Sequence, residues 1–341
     1  MPRDIVNLVL VLNGREAAKQ QFARMWLDFV ADLVVNKNNQ DAAKEGEEES
    51  SPRSSLKNVG VVLLGREDCD NDWMLPYMAK NGGVVKFAFI VYDSDLIDDV
   101  DFFQWPLGVA TYRSFPRQCL ATLDEDDDHN HPNPRVNRLP ISNRATRLYT
   151  CNFLGTVYPN STREELLRVL KSAPLRVQRA CMIKVRAEWS PGETDATLAQ
   201  YVHALTQSDL TLNPAGKNVE CYRHFEAMSC GSVPVVLNET TLDGFDEKMK
   251  LTVIVNDKTK PTSVVSDRCD RKSFLRLFRR YGAPFFWVDK WSDVPNLIAE
   301  EMALSQEVKM MRRQEVMKWY RDFLKAMRMR FVEVLEKKFH L

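Results

Sequence analysis

Residues Ser208 to Val236 read SDLTLNPAGKNVECYRHFEAMSCGSVPVV. An apolar run from Leu210 ends in Asn213-Pro214-Ala215-Gly216, a helical segment follows from Glu220 to Ser229, and a second apolar run spans Val233 to Leu237. Two short apolar runs joined through a helix form a crossover of an α/β protein. In open α/β sheets, ligands sit beyond the carboxyl ends of the strands, where a loop meets the next helix. Pro214 and Gly216 let the backbone approach a ligand, and the first amides of the helix carry the partial positive charge that suits a phosphate.

On a 3.6-residue wheel, Cys221, Phe225 and Met228 form the stripe facing the sheet, while Arg223 and Glu226 lie near each other on the opposite side. Glu226 then sits about 4.5 Å deeper along the axis than Arg223. A guanidinium binds diphosphate oxygens and a carboxylate accepts from vicinal ribose hydroxyls, so the pair matches a nucleotide diphosphate lying along the helix. The same spacing also makes an ordinary surface ion pair, worth about 0.2–0.5 kcal/mol. Spacing alone leaves both readings open.

Outward from this segment the alternation continues. Strands are predicted at Ile5–Leu12, Val59–Leu64 and Val84–Tyr92, with helices at Glu16–Val34 and Asp72–Lys80. The second half predicts strands at Tyr149–Thr156, Cys181–Val185, Leu210–Asn213, Val233–Leu237 and Phe285–Val288. Its helices are predicted at Arg163–Lys171, Asp195–Gln207, Glu220–Ser229, Asp270–Tyr281 and from Ser292 onward. Gln306–Phe339 reads as one long amphipathic helix. The acidic polar stretches near 41–55 and 124–138 read as disordered insertions. The resulting organisation is a first α/β domain over 1–145, a second over 146–305, and a terminal helix over 306–341 packing back on the first.

Lys plus Arg and Asp plus Glu both number 47, so no global charge favours nucleic acid, which is not expected as a partner. The 7 cysteines form no CxxC pair and no zinc-spaced cluster, and an odd count leaves at least one free thiol. Asn160-Ser161-Thr162 and Asn238-Glu239-Thr240 are glycosylation sequons if the chain enters the secretory pathway. No apolar run is long enough to span a bilayer, and the first residues lack the apolar core of a signal peptide, so no membrane anchor is expected in this chain.

The end of the third predicted strand reads VYDSDLIDDVDFFQWPLGVATYR. Asp93, Asp95 and Asp98 are candidates for a general base, Asp93 first, since the carboxyl end of a strand points them toward a ligand; each also suits a turn or cap. Asp93-Ser94-Asp95 matches a metal-holding D-x-D as well. Paired α/β halves with a late nucleotide helix argue against that use, and no metal is expected. Gln104 and Tyr112 can hydrogen-bond a sugar phosphate, Trp105 can stack and Arg113 can meet phosphate; the alternative is a loop whose Trp105 and Leu107 fill an interdomain core.

The order P-x-G, R-x-x-E-A, G-S-V-P-V-V, which takes in Gly231, resembles the donor-binding segment of exostosin-like glycosyltransferases. VVLLGREDCDNDW, FQWPLGVATYRSFP, CNFLGTVYPNSTR and YGAPFFWVDKW extend the resemblance along nearly the whole chain, toward a xylosyltransferase branch of that family. The resemblance implies a GT-B fold, two Rossmann-like domains with a cleft between them. It implies inverting transfer of xylose from UDP-xylose to ribitol-5-phosphate on the O-mannosyl glycan of α-dystroglycan, with the leaving phosphate held by helix amides and a basic side chain rather than a metal. It further implies the Golgi lumen, an anchor and stem in the full-length relatives that this chain lacks, and other Golgi glycosyltransferases as partners. A different UDP-sugar, or a non-catalytic scaffold, are the competing readings.

Overall fold

The computed structural model describes residues 5–42, 55–116, 119, 146–186, 188, 190, 192, 194–216, 218–238 and 275–341. These fall into two compact units, Met1–Leu107 with Val265–Leu277 and Lys325–Leu341, and Gly108–Val264 with Phe278–Leu324. The division falls at Leu107 rather than at 145. Among the described residues no helix is long and apolar enough to cross a membrane.

In the first unit, β1 (Asn7–Asn13), α1 (Ala17–Ala42), β2 (Asn58–Leu64), β3 (Val85–Val91) and β4 (Phe102–Trp105) build a parallel sheet in the order β1-β2-β3-β4. NVGVVLL and VKFAFIV are continuous apolar runs, the signature of parallel strands covered on both faces. Leu27, Val30, Val61, Leu63, Met74, Val85 and Ile90 form the core on one side. On the other, Phe87, Phe89 and Phe103 meet Phe331 and Phe339 of the chain's last helix.

Three sequence expectations change here. Asp72–Lys80 is not one helix but two 3₁₀ turns, Asp72–Tyr77 and Ala79–Asn81. Pro76 removes an amide from the middle of the segment, and Gly82 follows in the left-handed conformation. A fourth strand, β4, was not predicted, because four residues are too few to establish a period. α1 runs on to Ala42, into the start of the stretch read as disordered; the rest of that insertion, apart from residue 55, and the stretch 124–138 lie outside the described residues.

The second unit carries β5 (Tyr149–Thr156), α2 (Thr162–Ser172), α3 (Leu175–Arg179), β6 (Cys181–Arg186), α4 (Asp195–Thr206), β7 (Ser208–Leu212), α5 (Tyr222–Ser229) and β8 (Val233–Leu237). After the undescribed residues 239–274 come α6 (Arg276–Arg280), whose first two residues belong to the first unit, β9 (Phe286–Val288), α7 (Val294–Ala303) and α8 (Gln306–Phe339), which belongs to the first unit from Lys325 onward. Residues 270–274 of the predicted helix Asp270–Tyr281 lie outside the described residues, and its described part is α6. The second sheet is parallel, in the order β6-β5-β7-β8-β9. Its strand order therefore reverses between β5 and β7, where crevices for ligands form in such sheets.

Local signals set the helix ends. Ser161 accepts a hydrogen bond from the amide of Glu164 and Thr194 from that of Thr197, capping α2 and α4, and Glu164 and Glu165 favour the positive end of α2. Two disulfides bind this unit among the described residues. Cys151–Cys181 joins registered neighbours on β5 and β6, and Cys119–Cys230 ties the end of α5 to the segment after Phe115. The first part of α8 docks through charge: Asp209 at the start of β7 meets Lys309 at 3.2 Å and Arg313 at 3.4 Å.

Candidate functional site

The carboxyl ends of β5 and β7 collect two arginines. Arg223, in the first turn of α5, donates from Nη2 to the carbonyl of Leu154 (2.8 Å) and from Nη1 to Oδ1 of Asn213 (3.3 Å), with its guanidinium 5.1 Å from the centre of the Phe153 ring. Gly155 makes this approach possible, since a Cβ there would stand 2.8 Å from Nη2 of Arg223. Arg163, at the start of α2, donates to the carbonyls of Thr156 (2.8 Å) and Ala215 (3.2 Å). Gly216 leaves it room, for a Cβ at Gly216 would lie 2.9 Å from Nη2 of Arg163. Pro214 follows Asn213 directly, so the predicted turn and both guanidinium groups share one edge of the sheet.

Glu226 lies one turn deeper and is 4% exposed. Its Oε2 accepts from the hydroxyl of Tyr201 at 2.6 Å, and its Oε1 from the amide of Ala110 at 3.1 Å. Burial pushes the carboxyl up to about 7 against the lowering effect of these two donors and of Arg223. The predicted arrangement, with one face of the helix on the sheet and the other carrying Arg223 and Glu226, is too simple. Residues Arg223 to Ser229 are all buried. Phe225 packs toward Phe323 of α8 (6.4 Å between rings) while Glu226 turns to α4, so the helix has no solvent face.

Cys221 precedes α5 and is the free cysteine among the described residues. Its Sγ is 3.2 Å from Oδ1 of Asn213. Burial would raise its thiol, but His224, Arg223 and Arg163 outweigh burial and bring it down to about 6. Arg223, Arg163 and the first amides of α5 make the opening of this helix suited to phosphate oxygens.

Gly231 does not join them. It follows the far end of α5, in the left-handed conformation, where a Cβ would lie 2.6 Å from Cγ of Arg313. Its role there is to close the helix against α8.

The remaining candidates divide between the units. Tyr112 is 60% exposed and its ring centre lies 5.7 Å from that of Tyr222, the first residue of α5; Arg113 stacks on Tyr112. Gln104 and Trp105 instead belong to β4 of the first unit. Gln104 is 2% exposed, and Trp105 packs edge-on against Phe89 (5.3 Å) and Phe331 (5.7 Å), so it fills the core of the first unit from a strand rather than from a loop. Asp93, after β3, is buried with Oδ2 3.2 Å from Nε of Arg276, whereas Asp95 is exposed. Asp98 is a structural cap. Partial burial works against its charge, but Lys80 and the amides of Val100, Asp101 and Phe102 hold its carboxyl well below the ordinary range.

Of the sequons, Asn160 is exposed, while Asn238 is engaged by Asp289 and Arg279. Residues 239 and 240 lie outside the described residues.

Arg163, Tyr201, Asn213 and Ala110 were not singled out from the sequence. Arg163 had a readable signal, a cation in the first turn of the helix that leaves β5. Tyr201 had none, being 25 residues from Glu226 on another helix.

Comparison with known proteins gives consistent matches. Residues 130–340 match the RXYLT1 C-terminal domain and residues 1–106 the RXYLT1 N-terminal domain. Ribitol-5-phosphate xylosyltransferase 1 of Danio rerio is 40% identical over 339 residues, covering 99% of this chain and 64% of that protein. Its Homo sapiens counterpart is 37% identical over 336 residues, covering 98% and 63%. The chain thus spans a little under two thirds of the length of these curated relatives. Among solved structures, WaaG, a glycosyltransferase involved in lipopolysaccharide biosynthesis, aligns over 95% of this chain and 98% of its own at 10% identity and a TM-score of 0.38. That score is too low to bear on the fold, which rests on the two parallel sheets.

Proposed function

Because the chain belongs to the RXYLT1 family, whose N- and C-terminal domains it matches in turn, we propose that it transfers xylose from UDP-xylose to ribitol-5-phosphate. The observation that carries this reading is the Arg223 guanidinium, fixed between Leu154 and Asn213 at the point where the strand order of the second sheet reverses. There the amides opening α5, with Arg223 and Arg163, bind the diphosphate, and Glu226 accepts from the ribose hydroxyls.

In the reaction, the bond between the xylose anomeric carbon and the phosphate oxygen breaks, and UDP departs with the electron pair. The acceptor hydroxyl oxygen bonds to that carbon from the opposite face, and its proton passes to a general base. Asp93 is the base in this reading and Asp95 its alternative. Charge building on the leaving phosphate is met by Arg223 and the α5 amides, without a metal ion. Tyr112 and Arg113 contact the acceptor.

The acceptor is taken to be carried on the O-mannosyl glycan of α-dystroglycan, and the workplace to be the Golgi lumen alongside other glycosyltransferases. Cys151–Cys181 and Cys119–Cys230 support an oxidising compartment. Asn160, exposed, supports a glycosylated chain there.

The test is transfer to a ribitol-phosphate acceptor with a panel of UDP-sugars. UDP-xylose should be preferred. Preference for another sugar would make this an exostosin-like transferase of different donor, and UDP binding without any turnover would make it a scaffold.

A further inference from the structure

We propose that Tyr201 positions Glu226 for the donor, its hydroxyl holding one carboxylate oxygen so that the remaining lone pairs meet the ribose hydroxyls. This rests on the reading of Glu226 as the ribose acceptor.

A carboxylate offers about four acceptor sites. Two are filled here, one on each oxygen: Tyr201 donates to Oε2 and the Ala110 amide to Oε1. One site per oxygen remains, the arrangement two vicinal hydroxyls require. The clamp is itself rigid. The Tyr201 ring lies 6.0 Å from that of Phe115, beside Val202, Leu205, Ala227 and the Cys119–Cys230 bridge. Without the hydroxyl, Oε2 loses its donor and the Ala110 amide alone holds the carboxylate, so more of the ordering cost is met when the ligand binds.

The charged and titratable groups facing Glu226 are Tyr201 on α4, Arg223 and Cys221 at the start of α5, and Tyr320 on α8. Burial, then the Glu226 charge, pushes the Tyr201 phenol well above 10, so it stays a donor throughout the working range. The Tyr201 hydrogen bond lowers the Glu226 carboxyl against its burial. Removing the hydroxyl therefore lets Glu226 titrate at higher pH, and the ionised acceptor is lost sooner as pH falls.

The experiment titrates UDP into wild type, Tyr201→Phe and Glu226→Gln between about pH 5.5 and 8.5, with thermal melts confirming that each is folded. Phenylalanine keeps the ring that packs on Phe115. Tyr201→Phe should weaken UDP by about 2- to 10-fold, the cost of ordering one side chain on binding, and move the acid limb of binding to higher pH. In turnover it should raise KM for the donor while leaving kcat within about twofold. Glu226→Gln should weaken binding and flatten the limb. Wild-type affinity and limb in Tyr201→Phe, with weakened binding in Glu226→Gln, would overturn the role of Tyr201 alone. Wild-type affinity in Glu226→Gln would overturn the reading of Glu226 itself.

Discussion

The thiol of Cys221 lies 3.6 Å from Nδ1 of His224 across the first turn of α5. With Arg223 and Arg163 nearby, this pulls the thiol down to about 6 despite burial. A thiol so placed should react at lower pH than an ordinary cysteine. Its alkylation by iodoacetamide, followed by peptide mass spectrometry, should rise through about pH 6 and level off by about pH 8, where an ordinary thiol is still gaining rate. Bound UDP should slow the reaction. A rate that keeps climbing above that range would show that the thiol is not held down.

Gly231 sits at the far end of α5 from Arg223. Gly231→Ala forces a Cβ to within 2.6 Å of Arg313 and strains a backbone at φ 69°. We expect a loss of about 1–3 kcal/mol in denaturant unfolding with UDP affinity kept. Weakened UDP binding in a variant that stays folded would return Gly231 to the donor site.

Asp93 is buried against Arg276, and Asp95 is exposed. As the general base, Asp93 should lose at least about 100-fold in kcat on change to Asn, with UDP affinity unchanged. Asp95→Asn should stay near wild type. Retained turnover in Asp93→Asn would place the base elsewhere.

Cys119–Cys230 spans 111 residues and Cys151–Cys181 spans 30. Loop entropy makes the longer closure worth about 1 kcal/mol more. Paired serine variants of Cys119 and Cys230 should thus unfold at lower denaturant than paired serine variants of Cys151 and Cys181. The opposite order would mean that packing around β5 and β6 outweighs chain entropy.

Much of the architecture was legible because buried parallel strands are continuous apolar runs. NVGVVLL, VKFAFIV and VPVVL announce themselves, and Gln306–Phe339 is one helix over the predicted span. Short elements were not: FFQW is too brief for a period, and Pro76 turns a plausible helix into 3₁₀ turns. In the site, Pro214, Gly216, Arg223 and Glu226 lie along one contiguous segment and could be singled out from it, whereas the contacts of Asn213 and Cys221 could not. Tyr201, Ala110 and the partners of Cys119 and Cys151 come from distant residues, and nothing local encodes those meetings. The wheel also misjudged α5, because it assumes one solvent face and α5 has none.

The most direct measurement is the dissociation constant of UDP for wild type and for Arg223→Ala, by calorimetry at neutral pH, with melts to confirm folding. Loss of a charge-assisted contact to the diphosphate should raise it by at least about tenfold. An unchanged constant in a folded Arg223→Ala protein would contradict the assignment of the donor to the opening of α5.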